Sequence, residues 1–153
     1  MSVTITLPER YPLVLAAGVA TYWVSMWQAL QVGRYRGKAG IAYPQAYADK
    51  AQADASVDAM KFNCIHRAQQ NTVENIPHFL FGLLVTGLRY PTVAAALGFA
   101  YSFGRIMYTL GYASGNPDKR FSKGGYLALV PNTLMWLAST WTIVEFLREY
   151  MNN

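Results

Sequence analysis

The sequence predicts an all-α fold: an integral-membrane four-helix bundle formed by one domain over residues 1–153. Two observations carry that expectation. Hydrophobic residues make up 53% of the chain and charged residues 14%, against about 25% charged in soluble domains. The apolar residues also gather into long runs separated by basic, Gly- and Pro-containing connectors, each run about the 20 residues needed to cross a hydrocarbon core. Eleven Tyr and four Trp fit the aromatic enrichment at membrane–water boundaries.

The first span is expected over about 11–33, which carries no charge. Pro12 stands near its start, where proline is tolerated. Ala16, Ala17, Gly18 and Ala20 form a small-residue patch suited to close helix contact. The preceding stretch lacks the basic region and short apolar core of a cleaved signal, so this run reads as a retained helix. RYRGKAG, basic and Gly-containing, is expected to end it at residue 34. A polar connector follows, with a short helix after Pro44 and a solvated Ala/Asp-rich part.

The second span is expected over about 62–88. Its first half is unusual. Arg67, Asn71 and Glu74 fall at i, i+4 and i+7, one face of a helix, and Asn63 and His78 extend the stripe. Charges and amides in a membrane helix are costly and mark function or a partner. Pro77 lies inside this helix and predicts a kink. The third span, about 92–113, carries a second polar stripe of Tyr101, Arg105, Tyr108 and Tyr112. SGNPDKRFSKGG is a turn signal. The fourth span, about 124–146, is interrupted mainly by Asn132 and Thr133, which are expected to make interhelical hydrogen bonds.

Charge bias orients the four spans. The connectors after the first and third hold Arg34, Arg36, Lys38, Lys50, Lys61, Lys119, Arg120 and Lys123. The other side holds Arg10, Arg89 and Arg148. The basic loops are therefore expected in the cytosol, which puts both polar stripes at one depth in the cytosolic leaflet.

The net charge of +5 is spread between apolar runs and not clustered on a solvated face. That speaks for anionic lipid or an acidic ligand at the membrane surface, not nucleic acid. The single cysteine, Cys64, excludes an intrachain disulfide framework and reads as a buried thiol. His66 and His78 stand twelve apart without ligand-spaced partners, so no metal site is expected. The arginines suit carboxylates, Glu74 suits an ammonium, and Asn71 with Gln69 or Gln70 suits amides.

The run RAQQNTVENIP with FNCIH before it, together with GRIMYTLGYASGNPDKR, resembles the MAPEG family, the membrane-associated proteins in eicosanoid and glutathione metabolism. Within that family it looks most like the microsomal glutathione S-transferase type 3 branch. The resemblance covers nearly the whole chain. It implies a homotrimer, with reduced glutathione as co-substrate bound between subunits on the cytosolic face. By position, Arg67, Asn71, Glu74 and Tyr108 match contacts to the γ-glutamyl end. Gln69 and Arg36 match contacts to the glycine carboxylate, Arg36 having Arg34 and Lys38 beside it. Tyr112 matches the tyrosine near the thiol. The thiolate-stabilising cation falls at Lys119 or Arg120, and Arg120 is preferred because a guanidinium is the usual group. Asn75 departs from relatives that carry an aromatic residue there.

The implied activity is conjugation of lipophilic electrophiles or reduction of lipid hydroperoxides, extending to leukotriene-C4-synthase-type chemistry. The implied location is the endoplasmic reticulum or the outer mitochondrial membrane. The alternative is a non-enzymatic lipid-binding scaffold of the same superfamily.

Overall fold

A computed structural model describes residues 6–152. The ends of the chain, residues 1–5 and 153, lie outside it. Four long helices are present: α1 (Tyr11–Ala39), α3 (Val57–Gly87), α4 (Pro91–Tyr112) and α5 (Tyr126–Asn152). A short α2 (Lys50–Ala55) precedes α3, and a 3-10 turn (Pro117–Phe121) precedes α5.

The helix ends differ from the expected ones for local reasons. RYRGKAG does not stop α1 at residue 34; the helix runs to Ala39. Arg, Tyr and Lys carry a helix readily, and an interior glycine costs only about 1 kcal/mol. The stop comes at Gly40, whose φ of 65° is left-handed and favours glycine. Its neighbour Ile41 then donates from N–H to the Arg36 carbonyl at 3.3 Å. α3 begins five residues before the expected start, because the Ser56 hydroxyl accepts from the Ala59 N–H at the helix N-terminus. α2, solvated as expected, is capped by Asp49 and Gln52, each side chain accepting from the other's backbone N–H. α5 continues past residue 146 to Asn152, through Glu145, Arg148 and Glu149.

The core fills the space between the four long helices. Val14 and Ala17 of α1 pack with Phe79 and Leu83 of α3, Tyr101 of α4 and Met135 of α5. The Phe79 and Tyr101 rings stack with centroids 3.8 Å apart. Small residues bring the helices close: a Cβ at Gly98 of α4 would stand 2.7 Å from that of Ala17. The small patch on α1 therefore contributes one residue to a tight crossing, while Ala16 faces outward. Gly104 lies against the α5 backbone at Leu127, so a Cβ there has no room.

At the α3–α4 turn, Arg89 pairs with Glu145 at 3.2 Å and with Glu149 at 2.5 Å. The Glu149 hydrogen bond is the largest influence holding the Arg89 guanidinium above its ordinary pKa. The Tyr90 hydroxyl donates to Glu145. This ties the turn to the C-terminal part of α5.

Three helices among the described residues, α1, α4 and α5, are long and apolar enough to cross a membrane. α3 is 31 residues, or about 46 Å at 1.5 Å per residue. Its charges and amides keep it outside that group.

Candidate functional site

The α3 stripe fans out in three directions. Arg67 and Glu74 pair with each other at 2.9 Å along the outer face, their side chains about half exposed (50% and 53%). Asn71 turns inward, and its Oδ1 accepts from Arg105 Nη1 on α4 at 2.6 Å. Asn63 turns to the connector and bonds both backbone groups of Ala48 at 2.8 Å. His78 is exposed.

The α4 stripe is buried along its whole length: Tyr101, Arg105, Tyr108 and Tyr112. Arg105 lies over the Tyr101 and Tyr108 rings, at 4.9 and 5.7 Å from their centroids, which offsets part of its buried charge. Tyr108 meets Tyr112 edge-to-face at 5.2 Å. The Asn71–Arg105 bond sets the two stripes at one level, as their positions in the sequence require.

Behind this pair lies a second polar layer. Gln28 of α1 is fully buried. Its Nε2 donates to Thr72 of α3 at 2.9 Å and to Thr109 of α4 at 2.8 Å. Each threonine hydroxyl also donates to a carbonyl one turn back, that of Ala68 or Arg105. Sequence reading passed over Gln28. The available signal was an amide inside an uncharged membrane helix.

Two openings flank the tyrosine pair. A cavity of about 220 Å³ between α3, α4 and α5 is lined by Asn71, Asn75, Arg105, Tyr108, Asn132 and Trp136, among others. A groove of about 260 Å³ at the α3 and α4 ends is lined by Tyr47, Asn63, Cys64, Arg67, Tyr112 and Pro117. The groove joins Arg67 to Tyr112. The cavity joins Asn71 to Tyr108. Asn132 makes the expected interhelical bond, donating from Nδ2 to Asn75 Oδ1 at 3.2 Å. Cys64 is buried and free, as expected.

The remaining sequence-predicted residues stand further apart. Arg120 is half-buried in the 3-10 turn, with Nη1 donating to the Pro117 carbonyl at 3.1 Å. Its guanidinium carbon lies 5.2 Å from the Phe121 ring centroid, and Phe121 meets Tyr108 at 5.7 Å. Lys119 is exposed and Gln69 half-buried. Arg36, near the C-terminal end of α1, is buried against the α1–α2 connector. Its Nη1 donates to the Gln45 carbonyl at 2.7 Å and the Ile41 carbonyl at 3.4 Å, and its guanidinium lies between the Tyr43 and Phe62 rings. Within one chain, Arg36 anchors a loop and is not gathered with the stripe.

Chemically, the two openings offer a cation paired with a carboxylate, amides, phenols and a further cation in the adjoining turn. That set complements a peptide bearing carboxylates and an amine. No group of three or more His, Cys, Asp or Glu that could hold a metal occurs among the described residues.

A model of the MAPEG family matches residues 14–141. The human protein named microsomal glutathione S-transferase 2 is 31% identical over 142 residues, 92% of this chain and 88% of that protein. The mouse protein of the same name is 34% identical over the same shares. An uncharacterized Synechocystis protein is 35% identical over 101 residues, 65% of this chain; the aligned part spans 64% of that protein, just under two thirds. Taken with the three apolar helices, these matches identify an integral membrane protein, and the chain belongs to the MAPEG family.

Proposed function

We propose that this protein is a membrane glutathione transferase that forms the glutathione thiolate beside Tyr112 and Arg120 and adds it to lipophilic electrophiles. The observation that carries the reading is the meeting of the two polar stripes at Asn71–Arg105, in a chain similar over 92% of its length to proteins named microsomal glutathione S-transferase.

In this reading Arg67, Asn71, Glu74 and Tyr108 hold the γ-glutamyl end. Gln69, with Arg36 supplied across a subunit boundary, holds the glycine carboxylate. A homotrimer supplies that boundary and covers the half-exposed Arg67–Glu74 pair. α3 crosses the membrane with the other three long helices, between which it packs. The site faces the cytosol of the endoplasmic reticulum or the outer mitochondrial membrane.

The chemistry rests on one pKa. A thiol ordinarily titrates near 8.5 and is mostly protonated at neutral pH, whereas the thiolate is the nucleophile. A guanidinium in a partly desolvated site lowers that value, each unit corresponding to about 1.4 kcal/mol. The thiol proton passes to solvent. The thiolate then forms an S–C bond as the electrophile's bond to its leaving group, or an epoxide C–O bond, breaks. The electron pair goes to the departing atom. Epoxide opening covers leukotriene-C4-synthase-type chemistry, and attack on oxygen covers lipid hydroperoxides.

The test is to measure glutathione conjugation and hydroperoxide reduction by the detergent-solubilised protein. Turnover of either supports the reading. Glutathione binding with neither reaction sinks it. That outcome would favour a lipid-binding scaffold, for which one observation speaks: an apolar groove of about 590 Å³ between α4 and α5, lined by residues such as Val93, Leu97, Leu134, Leu137 and Trp141.

A further inference from the structure

We propose that Gln28 of α1 is a positioning residue for the candidate site: its single amide fixes the rotation of α3 and α4 and so sets Asn71 against Tyr108 and Tyr112. The proposal rests on the glutathione reading above for its ligand, and goes beyond it in bringing α1 of the same chain into the geometry of the site.

The hydrogen bonds form a closed circuit. Gln28 Nε2 donates to Thr72 Oγ1 on α3 at 2.9 Å and to Thr109 Oγ1 on α4 at 2.8 Å. Thr72 follows Asn71 in the chain, and Thr109 follows Tyr108. Consecutive residues stand about 100° apart around a helix. Each helix therefore turns one residue to Gln28 and the residue before it to the cavity that Asn71 and Tyr108 line. The Thr109 hydroxyl donates to the Arg105 carbonyl at 2.9 Å, and Arg105 Nη1 donates to Asn71 Oδ1 at 2.6 Å. The circuit runs from α1 to α3, across to α4 and back to α1. A helix that rotates moves both neighbours together, so holding the threonine holds the site residue beside it.

Stability alone does not account for a glutamine here. Gln28 is fully buried, in a helix long and apolar enough to cross a membrane. Its Oε1 has no protein partner among the described residues, and a buried polar atom without a partner is destabilising. A leucine fills the same space with no unmet atom. What the amide adds is direction: hydrogen bonds fix an angle, whereas apolar contacts are non-directional. Polar side chains inside membrane helices mark function.

The ligand of the proposed function spans both helices. α3 grips the γ-glutamyl end through Arg67, Asn71 and Glu74. The thiol lies beside Tyr112 of α4 and Arg120 of the turn that follows. A slight rotation of one helix against the other leaves the grip on α3 in place and moves the thiol from its cation. Activation then suffers before binding does, since a misplacement of about 1 Å can cost up to about 100-fold in rate.

The full chain in nanodiscs tests this with Gln28→Leu. Its affinity for glutathione is expected to stay within about threefold of wild type. The ultraviolet thiolate absorbance of bound glutathione is expected to titrate about one unit higher. Turnover then falls about tenfold below the wild-type pKa and recovers as pH rises, because both proteins ionise the thiol fully there. A merely structural role lowers the folded yield and leaves the titration of the folded fraction in place. Thr72→Val and Thr109→Val each cut one arm of the clamp. Each is expected to shift the titration in the same direction by less, and to add nothing to Gln28→Leu. They also serve if Gln28→Leu does not fold. A titration within about 0.2 unit of wild type in the folded variants overturns the proposal, as do threonine effects that add fully to that of Gln28→Leu. If the wild-type protein forms no thiolate, the transferase reading fails and the clamp is read from the helices themselves. Spin labels at Gln70→Cys on α3 and Leu110→Cys on α4, both exposed positions, report their separation in a Cys64→Ala background. A wider distribution of distances in Gln28→Leu supports the clamp, and an unchanged one overturns it.

Discussion

Arg105 of α4 donates to Asn71 of α3 at 2.6 Å, and this one bond joins the two polar stripes across the bundle. The donor is a buried cation whose other close neighbours are aromatic faces. Asn71→Ala removes the acceptor and leaves the guanidinium short of a partner. It is expected to cost about 2 kcal/mol, the range for a buried hydrogen bond to a charged group. Thermal unfolding in detergent measures it. A melting temperature equal to wild type would show that the bond carries no stability.

Gln28 makes two buried hydrogen bonds from Nε2, while its Oε1 has no protein partner among the described residues. Gln28→Leu removes that unmet acceptor and keeps the volume, and both threonine hydroxyls retain their carbonyl acceptors. Gln28→Ala opens a cavity as well. The leucine variant is expected to lose at most about 1 kcal/mol and the alanine variant about 2–4 kcal/mol. The order of the two melting temperatures is the check, and the reverse order contradicts the argument.

Two glycines should respond oppositely to alanine. A Cβ at Gly104 collides with the α5 backbone at Leu127. Gly104→Ala is expected to cost at least about 1–3 kcal/mol, as overpacking does, and to reduce the folded yield. A Cβ at Gly37 meets nothing within 4 Å. Gly37→Ala is expected to add up to about 1 kcal/mol, by the difference in helix propensity. Paired size-exclusion and melting profiles distinguish them.

The Arg67–Glu74 pair is half exposed, and such pairs contribute about 0–1 kcal/mol. Glu74→Gln is therefore expected to leave the melting temperature within a few degrees of wild type. Under the proposed function it weakens glutathione binding by about tenfold or more, because a charged partner to the ammonium is lost. Calorimetric titration with glutathione supplies the second number. Unchanged affinity would remove Glu74 from the site.

Arg120 and Lys119 are separable by the thiolate itself. Arg120→Ala is expected to raise the pKa of bound glutathione by about one unit or more. The ultraviolet thiolate absorbance then titrates at higher pH, and activity falls most steeply on the acid side. Lys119→Ala, at an exposed position, is expected to shift the titration less. A larger shift for Lys119→Ala would transfer the role to it.

Much of this was written in the chain. Low charge and four apolar runs determined an all-α membrane protein, since backbone polar groups in lipid must be met within each helix. The i, i+4, i+7 spacing placed Arg67, Asn71 and Glu74 on one face, and the stripe on α4 was equally plain. Sequence reading also placed Asn132 in an interhelical bond, because an amide in an apolar helix needs a partner. It ended α1 too early, because RYRGKAG looks like a stop as a whole, when of its two glycines only Gly40 takes a left-handed φ.

The tertiary structure decided which members of a face act together. A stripe spreads over part of a helix surface, and three neighbours compete for it. Asn71 found Arg105, Asn63 found the Ala48 backbone, and Arg67 was left with Glu74. Gln28 and the Asn75–Asn132 link depend on which residues oppose one another across helix crossings. Crossings are set by close approaches such as Ala17 against Gly98. Periodicity along one helix assigns a residue to a face, but only packing supplies what that face meets.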